Sequence, residues 1–335
     1  MKLQRMQAAS PPRHRERQLW LHPFSGPTGG IAAATIVLFL VGGIIAPNSL
    51  GSDALAGMLP FAAVLALVAL GQTLVIQQGG IDLSVPGVVS ISAVVVSYLS
   101  QQPHMSVAFA LFCTFTVAAM SGLINGLLVS RVNVAPIVAT IGVNALLYGV
   151  NVRISGGTPV AMPGSVSAFS NATIFGITQL AAVVLLAAAA LIILIKATPF
   201  GRRFKAVGSN ARAARAAGIT ASRYQIFAYV CASMLYASGG IVLGGLMQLP
   251  SPQQGDAYLM PSIAAVVLGG TSLLGGRGNF AATVIAALFL TQLQQLVRTT
   301  GAGIGIQYVF QGAAILVGVG IYSLNFRKLA RGVLG

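Results

Sequence analysis

Four carboxylates, three imidazoles and two thiols are the chain's whole stock for acid–base, metal or nucleophilic chemistry: Glu16, Asp53, Asp82, Asp256, His14, His22, His104, Cys113 and Cys231. Such chemistry needs a base within reach of a nucleophile, or ligands converging on one point. The acids are far apart in sequence. The histidines fall in the first 22 residues and in one short loop. Each cysteine sits inside an apolar run with no Cys or His at metal-ligand spacing, so both read as small buried thiols. No catalytic residue, metal or cofactor is expected, and the chain is not read as an enzyme. A phosphate-binding loop needs a lysine directly after glycine. Lys2, Lys196, Lys205 and Lys328 are each preceded by another residue, so ATP hydrolysis has to come from elsewhere.

The elements that would position these residues are set by composition. The 335-residue chain is 56% hydrophobic and 7% charged, against about 25% charged residues in a soluble domain. Water would not hold such a surface in solution, and lipid is the consistent solvent. Apolar runs long enough to cross a bilayer occupy about Gly30–Ala46, Ala54–Gln77, Ser84–Leu99, Val107–Val129, Ala135–Val150, Ile177–Ile195, Tyr224–Gln248, Tyr258–Leu274, Phe280–Val297 and Gln307–Leu324. The first has a long basic segment before it and no clean small-residue cleavage pattern after it, so it reads as an uncleaved helix. The expected fold is all-α: a polytopic integral membrane protein of about ten transmembrane helices.

The net charge of +15 is localised. Lys2, Arg5, Arg13, Arg15 and Arg17 lie at the start; Lys196, Arg202, Arg203, Lys205, Arg212, Arg215 and Arg223 share one acid-free stretch; Arg327, Lys328 and Arg331 lie near the end. Basic clusters beside apolar spans mark cytoplasmic segments and suit anionic lipid headgroups. No nucleic-acid motif accompanies them. An even number of spans puts both termini on one side, and the basic stretch after the sixth span returns to it. This gives a cytoplasmic tail over 1–29, a permeation domain over 30–324 with a cytoplasmic loop at 196–223, and a cytoplasmic tail over 325–335. The segment Asn151–Gly176, rich in Gly, Pro, Ser and Thr, reads as an external loop built from turns.

Gly122/Gly126 and Gly240/Gly244 are small-residue pairs that let helices approach closely in lipid. Gln72, Asn125, Asn144, Gln292, Gln294 and Gln295 are amides inside spans, where burial without a partner is costly. They are expected to face other helices or a wet path, and Gln72, Asn125, Asn144, Gln292 and Gln295 are the candidates for lining one. A faint internal echo pairs Gly79–Val96 with Gly269–Leu290: a glycine pair, a short polar turn, then a small-residue helix.

Six ordered motifs between about Phe61 and Ile321 resemble the permease subunits of bacterial ATP-binding-cassette importers for ribose, xylose, galactose and similar monosaccharides. Gly79-Gly80-Ile81-Asp82-Leu83-Ser84 looks like that family's GGIDLS turn, and Gly122–Val129 and Pro136–Gly142 resemble its next two segments. Gly156-Gly157-Thr158-Pro159-Val160 matches its external stretch. Thr198–Arg202 with Val207–Ile219 resembles its cytoplasmic loop, and Val267–Gly278, with Gly269, Gly270, Gly275 and Gly276, its late glycine-rich turn. Pro86 stands where the family usually has glycine, and Arg212 where glutamate is common.

The resemblance implies a bacterial inner (cytoplasmic) membrane location and two permease copies, as a homo- or heterodimer. It also implies a cytoplasmic ATPase subunit and a periplasmic binding protein that delivers the sugar. Within the basic loop Asn210 is a good N-cap, Ala and Arg are strong helix formers, and Gly218 is a natural stop, so a helix of about two turns is expected there. The resemblance makes it the helix that docks on the ATPase, with Gly208, Asn210, Arg212, Ala214, Arg215 and Gly218 as its residues. Gly79, Gly80, Asp82, Ser84, Gly269, Gly270, Gly275 and Gly276 are read as structural turns, with Asp82 capping the helix that starts near Ser84. The competing expectation is an ion-coupled secondary transporter of a small polar solute, in which Asp82 would carry the proton.

Overall fold

The computed structural model describes residues 27–301 and, beyond them, 303, 305–307, 309, 310, 312, 313 and 316. The basic N-terminal cluster, most of the tenth expected span and the C-terminal cluster lie outside the described residues. The helices are α1 (Pro27–Ile45), α2 (Ser52–Gln77), α3 (Val85–Ser100), α4 (Val107–Ser130), α5 (Pro136–Ser155), α6 (Gly164–Asn171), α7 (Leu180–Ala197), α8 (Pro199–Ser209), α9 (Ala211–Ala216), α10 (Ala221–Met247), α11 (Asp256–Leu268) and α12 (Phe280–Thr299). A 3-10 turn, Pro47–Leu50, links α1 to α2. The only strands among the described residues, β1 (Thr173–Ile174) and β2 (Ile177–Thr178), form a small antiparallel hairpin.

Seven of these helices (α1, α2, α4, α5, α7, α10 and α12) are long and apolar enough to cross a membrane. The apolar helices α3 and α11 are shorter, at 16 and 13 residues. At 1.5 Å per residue they span about 24 and 20 Å, less than a hydrocarbon core of about 30 Å. Non-helical chain precedes each: residues 78–84 before α3 and 248–255 before α11. Each expected span within the described residues therefore contains a helix, and two of them are discontinuous. Non-helical backbone at membrane depth is tolerated where protein covers it, and here it does: Gly80, Asp82, Ser84, Pro252 and Gly255 are buried.

The bundle is centred on α2 and α10. In the most apolar 18-residue stretch of each, 61% is buried, against 17% in α1. Ile36, Leu40, Phe112, Ile124, Val138, Leu146 and Leu186 point outward from the peripheral helices, as lipid-facing side chains do. The expected glycine pairs sit at the tightest crossings. A methyl on Gly126 would stand 2.8 Å from Ile226 Cα, and one on Gly122 would stand 2.7 Å from Val230 Cα, so α4 and α10 touch backbone to backbone. Gly240 of α10 lies against the Val89 carbonyl of α3, and Gly244 faces Ala93.

Three expectations are corrected. The segment Asn151–Gly176 is not all turns: α5 runs on to Ser155, stopping at Gly156 (φ +65°), and α6 covers Gly164–Asn171. Its Ser-rich sequence is held helical because Val166 and Ser170 pack on Gly245 of α10. The span read as Tyr258–Leu274 ends at Leu268, where backbone bonds from Gly270 N–H to the Val267 carbonyl (2.9 Å) and from Thr271 N–H to the Val266 carbonyl (3.2 Å) close the helix. Gly79 and Gly80 close α2 in the same way, onto Ile76 and Val75. The internal echo is thus real as a pair of turns but shifted by one: the left-handed residue is Gly79 (φ +80°) in one and Gly270 (φ +75°) in the other.

Candidate functional site

The basic loop after α7 folds into two helices, not one. Thr198 accepts a hydrogen bond from Gly201 N–H at 3.1 Å and Pro199 follows it, a strong helix start. The resulting α8 buries Phe204 and Val207 against α10, with the Phe200 ring tilted against Tyr224 and edge-to-face with Phe227 at ring separations of 5.0 and 4.7 Å. Burial, then the neighbouring charge of Lys196, lowers the Lys205 pKa. Asn210 then caps α9, its Oδ1 accepting from Arg212 and Ala213 N–H at 3.0 Å each. Gly218 (φ +77°) ends it, with Ile219 N–H bonded to the Ala214 carbonyl. Ala214 faces inward, leaving Arg212, Ala213, Arg215 and Ala216 exposed: a small, smooth, cationic knob.

That knob is rooted in a three-way junction of glycines. Gly276 N–H donates to the Gln77 carbonyl at 2.9 Å, joining the turn after α11 to the end of α2. Gly208, in the last turn of α8, lies directly on the same Gln77 carbonyl, and Gly275 lies on the Gly208 carbonyl. Gln78 Nε2 adds a bond to the Phe204 carbonyl at 2.9 Å. Gly208 and Gly275 leave no room for a Cβ because backbone occupies the space, and at Gly276 the Ser209 side chain does. The structure therefore gathers Gly79, Gly208, Asn210, Gly275 and Gly276 at one face. Gly269 serves elsewhere, where α11 crosses Thr283 of α12 with 2.8 Å between its would-be Cβ and the Thr283 nitrogen. Arg131, Lys196, Arg202, Arg203, Lys205, Arg212, Arg215, Arg223 and Arg277 belong to the loops and helix ends on the junction's face, Arg153 and Arg298 to the opposite one.

From Gly79 the chain enters the bundle as the Asp82 turn. Asp82 Oδ1 accepts from Ser84 N–H at 2.8 Å and from Ser84 Oγ at 2.6 Å, and Asn125 Nδ2 donates to Ser84 Oγ at 2.9 Å. Asp82 thus closes a local turn and does not cap the first helical donors as expected. In the first turn of α3 the Gly87 N–H is met from α5, by Asn144 Oδ1 at 2.7 Å, and just before the helix Thr140 Oγ1 accepts from Leu83 N–H at 3.0 Å. Gln72 is likewise tied across helices, accepting from Tyr236 Oη at 2.8 Å.

On the other face a cavity of about 800 Å³ opens between α2, α10, the segment before α11, α11 and α12. Polar side chains dominate part of its wall: Asp53, Gln253, Gln254, Asp256, Tyr258, Gln294, Gln295 and Arg298. Of the amides expected to line a path, Gln295 is on the wall of this cavity. Gln72, Asn125, Asn144 and Gln292 are not on this wall. Sequence reading missed Gln254 and Tyr258.

A model of the family described as "branched-chain amino acid transport system / permease component" matches residues 54–319. The chain belongs to this permease family. The ribose import permease protein of Bacillus subtilis is 32% identical over 84% of this chain and 88% of its own length. The autoinducer 2 import system permease proteins of Yersinia pseudotuberculosis and Yersinia enterocolitica are each 32% identical over 80% of this chain and 76% and 74% of theirs. No solved structure matches. As a permease component the chain is a multi-pass membrane transport subunit and not an enzyme, in a family whose members work with ATPase and substrate-binding partners. Family membership does not fix the solute, since the family description names an amino acid and the relatives' names a sugar and a signal molecule.

Proposed function

We propose that this chain is the inner-membrane permease of an ATP-driven importer for a monosaccharide or a similarly hydroxylated small solute. Energy would enter at α9. Its capped, two-arginine knob stands on the basic face, and its root at Gly208 bears directly on α2 and on the turn after α11. That contact is the observation that carries the proposal, because a push on α9 meets backbone and not flexible side chains. The face bearing it is read as cytoplasmic from its basic residues, and the cavity then opens toward a periplasmic binding protein. A second permease copy would flank the pathway, as a homo- or heterodimer. The relatives named for ribose and autoinducer 2 import, together with an amide-rich cavity wall, favour a hydroxylated solute over a branched aliphatic one.

The ion-coupled alternative rests on Asp82, the buried acid of the bundle. Its charge is held by its own turn through two bonds from Ser84, a structural arrangement, and it lies outside the cavity. The test is uptake in vesicles of the complete transporter, with ATP but no ion gradient and the reverse, using D-ribose, D-xylose, D-galactose and L-leucine. ATP-dependent sugar uptake is expected, and Gly218→Val should reduce it without loss of chain from the membrane. Gradient-driven uptake that ignores ATP, or uptake of leucine alone, would overturn the proposal.

A further inference from the structure

We infer that the β1–β2 hairpin is a membrane anchor: its apolar tip, Ile174, Phe175 and Ile177, is inserted among the lipid headgroups on the side of the bilayer away from α9. The inference needs only that the chain spans a membrane and is independent of the solute proposed above.

Pairing gives the hairpin two unlike faces. Thr173 pairs with Thr178 and Ile174 with Ile177; cross-strand partners share a face, while neighbours along a strand alternate. Thr178 is buried, so Ile174 and Ile177 project together from the other face, each more than half exposed. Phe175 at the tip is fully exposed, and Phe169 on the adjoining α6 is about half exposed. The base is fixed. Gln179 N–H donates to the Ala172 carbonyl at 3.1 Å and Gln179 Nε2 to the Phe169 carbonyl at 2.5 Å, which ties the hairpin to the end of α6.

The turn itself is a second observation. Phe175 (φ +52°) and Gly176 (φ +78°) both lie in the left-handed region, in a two-residue turn of the kind that favours Asn-Gly or Asp-Gly. A bulky residue is unusual there. Phenylalanine is locally unfavourable at this position and, being fully exposed, gains no burial within the chain in return. Its apolar surface is answered from outside.

Lipid is the occupant that position and charge fit. Helix α7 starts one residue after β2, and its 18 residues rise about 27 Å, close to a hydrocarbon thickness of about 30 Å. Lys196 in its last turn and the basic α8 beyond it set that end at one membrane surface. Its start, and the hairpin with it, therefore lies level with the headgroups of the other surface. Leu185 and Leu186 of the same helix are exposed toward lipid. A soluble protein partner would be steered and oriented by complementary charge. This segment offers none, because no Asp, Glu, Lys or Arg occurs from Ile154 to Ile195. An uncharged, contiguous apolar patch at headgroup level is buried by the interface itself.

Depth can be read by fluorescence. Trp20, the chain's one tryptophan, is replaced by phenylalanine, and one tryptophan is introduced as Phe175→Trp or, in a second chain, as Ile177→Trp. Each full-length chain is held in lipid nanodiscs, which leave both membrane faces open to solutes. Phosphatidylcholine brominated near the headgroup end of its acyl chains should quench either tryptophan severalfold more than the same lipid brominated at the methyl end. Iodide should quench severalfold less than it quenches N-acetyltryptophanamide free in the buffer. Adding phosphatidylglycerol should change neither result, since no charge takes part. Iodide quenching as strong as for the free amide would put the hairpin in water, available to a protein, and overturn the anchor. Protection from iodide and from both brominated lipids would put it against a second copy, and overturns it as well. Deep bromines that quench as strongly as shallow ones overturn the headgroup placement. The Ile177→Trp chain decides the matter if Phe175→Trp fails to insert.

Discussion

Replacing Asn144 isolates one joint of the fold. Its Oδ1 accepts from Gly87 N–H at 2.7 Å, and Gly87 is in the first turn of α3, where backbone donors have no partner within the helix. Leucine fills a similar volume and cannot accept, so Asn144→Leu leaves the Gly87 N–H bare. Gly87 is buried among Leu147 and its neighbours, and a Cβ there would already stand 2.9 Å from Leu147 Cβ, so water has little room to take over. The loss is that of one bond with its buried donor orphaned, about 1–3 kcal/mol, or roughly five- to 150-fold in the ratio of folded to unfolded chain. Asn144→Asp keeps the acceptor and places negative charge at a helix N-terminus, where it is favoured, and should stay within about 1 kcal/mol of wild type. The assay is equilibrium unfolding in mixed detergent micelles titrated with dodecyl sulfate, followed by far-ultraviolet circular dichroism. An Asn144→Leu chain as stable as wild type, or an Asn144→Asp chain as unstable as the leucine variant, would refute the reasoning.

Other perturbations test other joints. Gly276→Ala forces a side chain onto Ser209 at a residue with φ +77°; it should lower the melting temperature and uncouple ATP hydrolysis from uptake more than Gly142→Ala, where the space is open. A thiol at Ser209 should react only with reagents that reach the cytoplasm, and one at Ser165 only from outside; labelling of Ser209 from outside would refute the orientation.

The spans were legible because they are long and apolar, and α9 because its cap and its stop are single residues, Asn210 and Gly218. Even the correct glycine pairs were visible, since Gly122, Gly126, Gly240 and Gly244 have no other reason to recur at that spacing in a lipid-facing sequence. The helix α8 was missed although its signal was present: Thr198-Pro199 at the start, then Phe200, Phe204 and Val207 at helical spacing. Gly201 and the surrounding charges read as loop. Partners of buried amides were not legible. Gln72 and Asn144 stood out as polar groups in apolar runs, but whether each met water or another helix depended on contacts with Tyr236 and Gly87, more than fifty residues away in sequence. Gln254 gave no signal, because a glutamine in a polar connecting segment is ordinary until the segment is found fastened inside the bundle.

Gly255 closes the strap before α11, residues 248–255, by resting on the Pro86 carbonyl, with its would-be Cβ 2.9 Å from Pro86 Cα. Pro86 is four residues beyond Asp82 and seven beyond Gly79, whose turn touches Gly275 of the glycine junction. The strap thus abuts the first turn of α3, directly behind which lies the other stretch of irregular backbone, with no side chain between strap and helix. Side chains can absorb small displacements by changing rotamer, and main chain in contact with main chain cannot. A linkage built this way has almost no backlash: a shift of a few tenths of an ångström at the strap must be taken up by Pro86 and the turn behind it. Clearance between the wall of the outer cavity and the root of α9 is thus set by glycines, and one added methyl at Gly255 would jam it from the outside as surely as one at Gly208 from within.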